Sequence, residues 1–169
     1  MKTVIETERL FLRELALSDT NDLAKVLCNE TSMLYYPKAF TLEEVKRWIN
    51  TNIKRYGVFG YGLWGVVLKS TRLLIGDCGL TIQSIDGESL PEIGFHINPS
   101  YCQHGYATEA GKAVLEYGHN EFKLRRIYSY CISENIPSQK TMKKIGMDYH
   151  KTYFSNTGKE TTVYIKTFD

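Results

Sequence analysis

The segment Asn98-Pro99-Ser100-Tyr101-Cys102-Gln103-His104-Gly105-Tyr106-Ala107-Thr108 constrains this chain more than any other, because two periodicities meet across it. Before it lies an apolar run, Ile93 to Ile97, that reads as a strand. After it, Ala110, Ala113, Val114 and Leu115 recur at helical spacing. The stretch therefore joins a strand to the first turn of a helix. The first N–H groups of a helix have no partner inside it, and the helix dipole adds partial positive charge there. A phosphate or pyrophosphate fits such a site. Gly105 and Ala107 keep the backbone bare, so that an anion can approach closely.

The rest of the pattern is a mixed α/β chain rather than a run of strand–helix–strand units. Glu8 to Arg13 alternates as a first strand. Ser18-Asp19 opens a helix carrying Leu23, Val26 and Leu27. Thr41-Leu42-Glu43-Glu44 has the form of a capping box. It starts a second helix, Leu42 to Tyr56, with Val45, Trp48, Ile49 and Ile53 on one face and Gly57 and Gly60 at its end. Strands follow over Gly62–Lys69, Leu73–Gln83 and Glu92–Asn98, with turns at Ser70-Thr71-Arg72 and Asp86-Gly87. After the helix that runs to His119 come a strand, Arg126–Ser133, and a short helix, Pro137–Ile145. A final hairpin, Met147–Phe154 and Thr161–Phe168, turns at Asn156-Thr157-Gly158.

At 169 residues the chain reads as one domain with room for a real core. A net charge of +2 argues against a specific nucleic-acid surface. No segment is long and apolar enough to span a membrane, and the first residues lack the apolar run of a signal peptide. Cys28, Cys78, Cys102 and Cys131 form no C-x-x-C pair and no zinc spacing, so neither a disulfide framework nor a metal site is expected. Three read as buried thiols, and Cys102, in the turn, as accessible. This usage fits a reducing cytoplasm.

A second constellation sharpens the reading. Asn135-x-x-Ser138 follows the strand after the long helix, and Lys144, Gly146 and Met147 close the next helix. With Cys102-Gln103-His104-Gly105-Tyr106-Ala107, this resembles the GNAT acetyltransferase superfamily. Thr7-Glu8-Arg9-Leu10-x-Leu12-Arg13, Ile75-Gly76-x-Cys78-Gly79 and Glu92-Ile93-Gly94-Phe95 are similar to its Rim-type branch, enzymes that acetylate the N-termini of ribosomal proteins. The resemblance covers nearly the whole chain. It implies one N-acetyltransferase domain over residues 1–169. Its fold would be a single mixed, mostly antiparallel twisted sheet of about seven strands, flanked by about four helices and splayed at the central strands.

The resemblance also implies acetyl-CoA as cosubstrate and an amine as acceptor, with no metal. The pyrophosphate would lie on Cys102, Gln103, His104, Gly105, Tyr106, Ala107 and Thr108. The pantetheine arm would run along Phe95 and Ile97 and past Asn135 and Ser138. Asn135 also suits a helix N-cap that accepts the Ser138 N–H. Two departures stand out. Cys102 replaces the usual Gln or Arg, and Met142 replaces a Tyr suited to protonate the leaving thiolate. A thiol of ordinary pKa, about 8.5, is a fair leaving group without help.

The chemistry demands that an amine attack a thioester carbonyl and lose a proton. Glu92 is the candidate general base, and His96, on the same strand face, is the weaker alternative. Tyr35 and Tyr36 fall where the family shapes its acceptor groove. The acceptor is expected to be a protein or peptide N-terminal amine or a small amine. The competing function is a non-catalytic acyl-CoA sensor or interaction module. A homodimer is a family habit.

Overall fold

The computed structural model describes residues 2–169. Eight strands form one sheet: β1 (Thr3–Glu6), β2 (Leu10–Arg13), β3 (Leu63–Leu68), β4 (Leu74–Ile85), β5 (Glu88–Ile97), β6 (Arg126–Ile132), β7 (Asp148–Phe154) and β8 (Glu160–Thr167). The helices are α1 (Thr20–Leu27), α2 (Leu42–Phe59), α3 (Tyr106–Phe122) and α4 (Ile136–Lys144). The strand order is β1-β2-β3-β4-β5-β6-β8-β7, so β8 sits between β6 and the edge strand β7. All neighbours are antiparallel except β5 and β6.

The expected seven strands become eight because Thr3–Glu6 pairs with β2. Four residues are too few to display alternation, so this strand is specified by its neighbour rather than by its own pattern. The other expected strands appear, with β5 reaching back to Glu88 through Pro91.

The capping box at α2 forms as read: Glu44 N–H donates to Thr41 Oγ1 at 3.2 Å, and Thr41 N–H to Glu44 Oε2 at 2.7 Å. The helix continues through Gly57 to Phe59, and only Gly60, at φ +77°, ends it. Its inner face differs from the expected one. Val45 and Ile49 are buried, but Ile53 is 39% exposed and Asn52 is fully buried in its place. Asn52 Oδ1 accepts the Leu63 N–H at 2.9 Å, and its amide donates to the Trp48 carbonyl at 3.0 Å, so this polar side chain ties α2 to β3. Of the cysteines, only Cys78 is fully buried; Cys28 and Cys131 are half-buried, because each lies at the rim of its element.

Helix α3 packs on one face of β4 and β5 through Ala110, Val114 and Leu115, against Leu80 and Ile93. Helices α1 and α2 cover the other side with a second cluster built on Leu23, Val26, Leu27, Val45 and Ile49. The site depends on how β5 meets β6. The two strands share a single register pair, Glu92 with Tyr128, and then part. Ser129 closes the apex, its hydroxyl donating to the Ile93 carbonyl at 2.9 Å. Beyond it, the β5 main chain has no strand partner on the β6 side, so the sheet opens into a cleft.

Candidate active site

The turn after β5 presents bare main chain at the start of α3. Pro99–Tyr101 forms a short 3-10 turn, Gln103 adopts φ +64°, and Gly105, at φ +82°, is the N-cap of α3. No side chain caps this helix. The acid of its first turn, Glu109, faces away: its Oε1 accepts Thr7 Oγ1 at 2.6 Å and the Arg9 N–H at 2.8 Å, and its Oε2 accepts Arg9 Nε at 2.6 Å. Arg9 also donates to the His104 carbonyl at 3.0 Å and lies 4.5 Å over the Tyr106 ring. The first N–H groups of α3 thus have no side-chain acceptor, while a residue from the start of the chain braces the turn. His104 stacks on Tyr106, and its Nδ1 bonds the Cys102 carbonyl at 2.8 Å. Cys102, Gln103, His104 and Gly105 are exposed, whereas Tyr106, Ala107 and Thr108 are half-buried.

A second feature is a cavity of about 290 Å³ on the α1–α2 side of the cleft. Tyr35, Tyr36 and Trp48 wall one side, Tyr130, Cys131 and Ile132 of β6 another, and Glu92, Gly94 and His96 form the floor. Strand alternation puts these three on the cavity face. Phe95 and Ile97 point the other way and pack half-buried on the α3 cluster, so only their main chain reaches the cleft. Asn135 and Ser138 lie at the far end of the cavity. Asn135 caps α4 by accepting the Ser138 N–H at 3.1 Å. Met142 is buried in the core, where it offers no acid group.

Glu92 is 8% exposed and accepts a hydrogen bond from its cross-strand neighbour Thr81 at 2.8 Å. Burial pushes its pKa up to about 7, although the Thr81 hydroxyl, His96 and Arg55 pull the other way. The bare Gly94 backbone lies directly against it, since a Cβ there would be in van der Waals contact, 3.5 Å from both carboxylate oxygens. Glu92 is therefore a buried carboxylate poised near neutrality beside bare backbone.

His96 is more elaborately held than its sequence position suggests. Its Nδ1 lies 2.7 Å from Oδ1 of Asp77, a carboxylate with no exposure at all. The other Asp77 oxygen accepts the Trp48 indole N–H at 2.8 Å, and His96 Nε2 meets the Tyr36 hydroxyl at 2.8 Å. Burial alone would lower the imidazole pKa, but the charge and hydrogen bond of Asp77 outweigh it and the net direction is upward. Asp77 and Trp48 are site residues that pattern reading missed. Trp48 fits the apolar face of α2, and Asp77 follows Ile75-Gly76 in an otherwise apolar strand. A charge inside such a strand needs a buried partner, and that was the available signal.

Among the described residues, no group of three or more His, Cys, Asp or Glu side chains could hold a metal ion, and no helix is long and apolar enough to cross a membrane.

Residues 9–148 match the acetyltransferase (GNAT) domain family. The chain belongs to that family. It is 38% identical over 144 residues to the uncharacterized N-acetyltransferase YnaD of Bacillus subtilis (strain 168), covering 85% of this chain and 81% of that protein. A GNAT-family acetyltransferase from Bacillus anthracis has a similar crystal structure, with TM-score 0.82 and 31% identity over 96% of this chain and 97% of that one. The ribosomal-protein-S5-alanine acetyltransferase of Vibrio fischeri shares the fold at TM-score 0.79 and 18% identity, over 97% of this chain and 96% of that one. This acetyltransferase accordingly takes its acetyl group from acetyl-CoA and gives it to an amine. The uncapped α3 turn and the parted β5 edge fit the two polar stretches of that cosubstrate, its pyrophosphate and its pantetheine amides.

Proposed function

We propose that acetyl transfer occurs by direct attack of a primary amine in a ternary complex, with Glu92 as general base. The observation that carries this is the buried Glu92 carboxylate, held near neutral pKa, against the side-chain-free backbone of Gly94 where β5 and β6 part. A base of that pKa removes the proton of an incoming ammonium without being permanently protonated itself. The pyrophosphate lies on the main chain of Gln103 to Thr108, braced by Arg9. The pantetheine amides pair with the free β5 edge as an added strand, with Asn135 and Ser138 on the opposite bank. A main-chain N–H of β5 holds the oxyanion.

The cavity lining also selects among acceptors. It contains aromatic rings and one buried carboxylate but no lysine or arginine. A carboxylate next to the reacting amine would find only the His96 ring as a partner, and that ring is already bonded to Asp77. The acceptor is therefore a primary amine with no adjacent anion: the N-terminal amine of a peptide or protein, as in the Rim-type branch, or a small amine such as a polyamine. Free α-amino acids are disfavoured.

The test has two steps. Titration with acetyl-CoA, CoA, ATP and NADH should show micromolar binding of the first two only. Release of free CoA thiol is then followed with Ser- and Ala-initiated peptides, spermidine, an aminoglycoside and free serine. Transfer to peptides or polyamine but not to serine is expected. Preference for free serine would overturn the acceptor class. Binding with no transfer to any amine would return the protein to an acyl-CoA-binding role.

A further inference from the structure

The hydrogen-bonded file Trp48–Asp77–His96–Tyr36 lies beside Glu92 on the cavity floor and wall. It spans three elements and a connection: Trp48 comes from α2, Asp77 from β4, His96 from β5 and Tyr36 from the stretch between α1 and α2. Along the cavity floor, Gly94 is the bare position between Glu92 and His96, so an amine seated there has a proton acceptor on each side. The nitrogen must shed two protons, one before attack as an ammonium and one afterwards from the adduct. Glu92 is buried and takes one. A tyrosine at position 142, which would return a proton to sulfur, is replaced by buried Met142.

We propose that Tyr36 and His96 form a second proton carrier for the transfer, with Asp77 and Trp48 as the positioning residues that hold it. This rests on the acetyl-transfer reading above. The bound ammonium gives its first proton to the Glu92 carboxylate, and the freed nitrogen pair forms the bond to the thioester carbon. The carbonyl π pair moves to oxygen. The adduct nitrogen passes its second proton to the Tyr36 oxygen as the phenol proton moves to His96 Nε2, leaving an imidazolium whose Nδ1–H is held by Asp77. The oxyanion pair re-forms the carbonyl, and the C–S bond breaks with its electrons on sulfur. The imidazolium then returns one proton through the Tyr36 hydroxyl to the thiolate, and Glu92 releases the other to solvent.

Asp77 fixes the tautomer this requires, because its Oδ2 accepts the Trp48 indole N–H, its Oδ1 accepts from His96 Nδ1, and Nε2 is left free to receive. The groups whose charges act on the carrier are Asp77 from β4, Glu92 from β5, Tyr130 and Cys131 from β6, and, through Glu92, Arg55 from α2. Transfer requires both Glu92 and His96 unprotonated. In wild type, log kcat should therefore fall on the acid side with a limiting slope of two.

The experiment measures kcat, KM and acetyl-CoA affinity against pH for wild type, Tyr36→Phe, His96→Asn and the double variant, using the best amine of the panel. Asparagine retains a donor for Asp77 but has no second nitrogen. Each single variant should lose roughly 10²-fold in kcat with acetyl-CoA affinity unchanged. The double variant should lose no more than the worse single, as members of one unit do. The acid-limb slope should drop from two to one in His96→Asn. Tyr36→Phe alters only a hydroxyl on a surface connection, so it folds even where His96→Asn does not. Unchanged kcat in Tyr36→Phe, a rise in KM alone, or a slope of two in His96→Asn overturns the carrier while leaving acetyl transfer standing. Absence of transfer by wild type removes the reading beneath it and the carrier together.

Discussion

Glu92, as the proposed base, would set stability against activity in one side chain. Its carboxyl is raised from about 4.5 to about 7 because folding removes it from water. The native state therefore binds this proton more tightly than the unfolded chain does. Stability contributed by the protonated form is complete below pH 4.5 and is lost as pH rises through 7. Above that, the buried charge costs on the order of 3 kcal/mol. Glu92→Gln removes the charge while keeping an acceptor for Thr81. Its melting temperature should exceed that of wild type at pH 8, and the gain should disappear near pH 4.5. Its kcat should fall by roughly 10²-fold or more with acetyl-CoA affinity unchanged. Thermal melts at the two pH values and a turnover assay check both halves. Equal melting at pH 8, or equal turnover across pH, would remove Glu92 from the role of base.

At the scale of elements, the proposed cosubstrate seat at the junction between β5 and α3 rests on backbone geometry rather than side chains. Gly105 sits at φ +82°, where an L side chain costs about 1–2 kcal/mol, and a Cβ there would come 3.4 Å from Arg9 Nη2. Gly105→Ala should weaken acetyl-CoA binding by about tenfold or more, since a strain of that size is repaid by shifting the turn. The melting temperature of the free protein should change little, because the turn is exposed and outside the core. Calorimetric titration decides it: unchanged affinity would make the turn a mere helix start. Close approach explains another glycine. A Cβ on Gly76 would meet the His96 carbonyl oxygen at 2.0 Å, so this residue lets β4 press against the part of β5 that holds His96.

Over the whole molecule, the sheet is one body with a seam. Strands β1 to β5 and strands β6 to β8 meet through one β5–β6 register pair, with helix packing on either side. A cosubstrate bridging that seam stabilises the native state only. At a hundred times its Kd it should add about 2.7 kcal/mol, which for a chain of this size raises the melting temperature by roughly 5–10 °C. ATP at the same concentration should leave it unchanged. A thermal-shift series read by tryptophan fluorescence tests this directly, since Trp48 lines the cavity and Trp64 lies in the core. No shift with acetyl-CoA would mean that the seam is not where the cosubstrate binds.

The sequence by itself determined what depends on neighbours along the chain. The Thr41–Glu44 box, the Asn135 cap and the bare Gly105 turn are local arrangements set by residue type and spacing. Most strand and helix positions followed from alternation and helical period, and Glu92 and His96 were placed on one face by pleat alone. Pattern failed where a residue's partner is distant. Thr3–Glu6 became a strand only because β2 was there to receive it. Asn52 displaced Ile53 from the inner face of α2 because the Leu63 N–H needed an acceptor. Cys28 and Cys131 kept partial exposure because their elements end at a rim. Arg9 braces Glu109 across a hundred positions of chain, and Asp77 joins Trp48 to His96, which in turn meets Tyr36. Hydrogen bonds between charged or aromatic groups far apart in sequence leave no period to read. They exist only once the sheet has twisted, parted at Glu92, and brought α2 down over the opening.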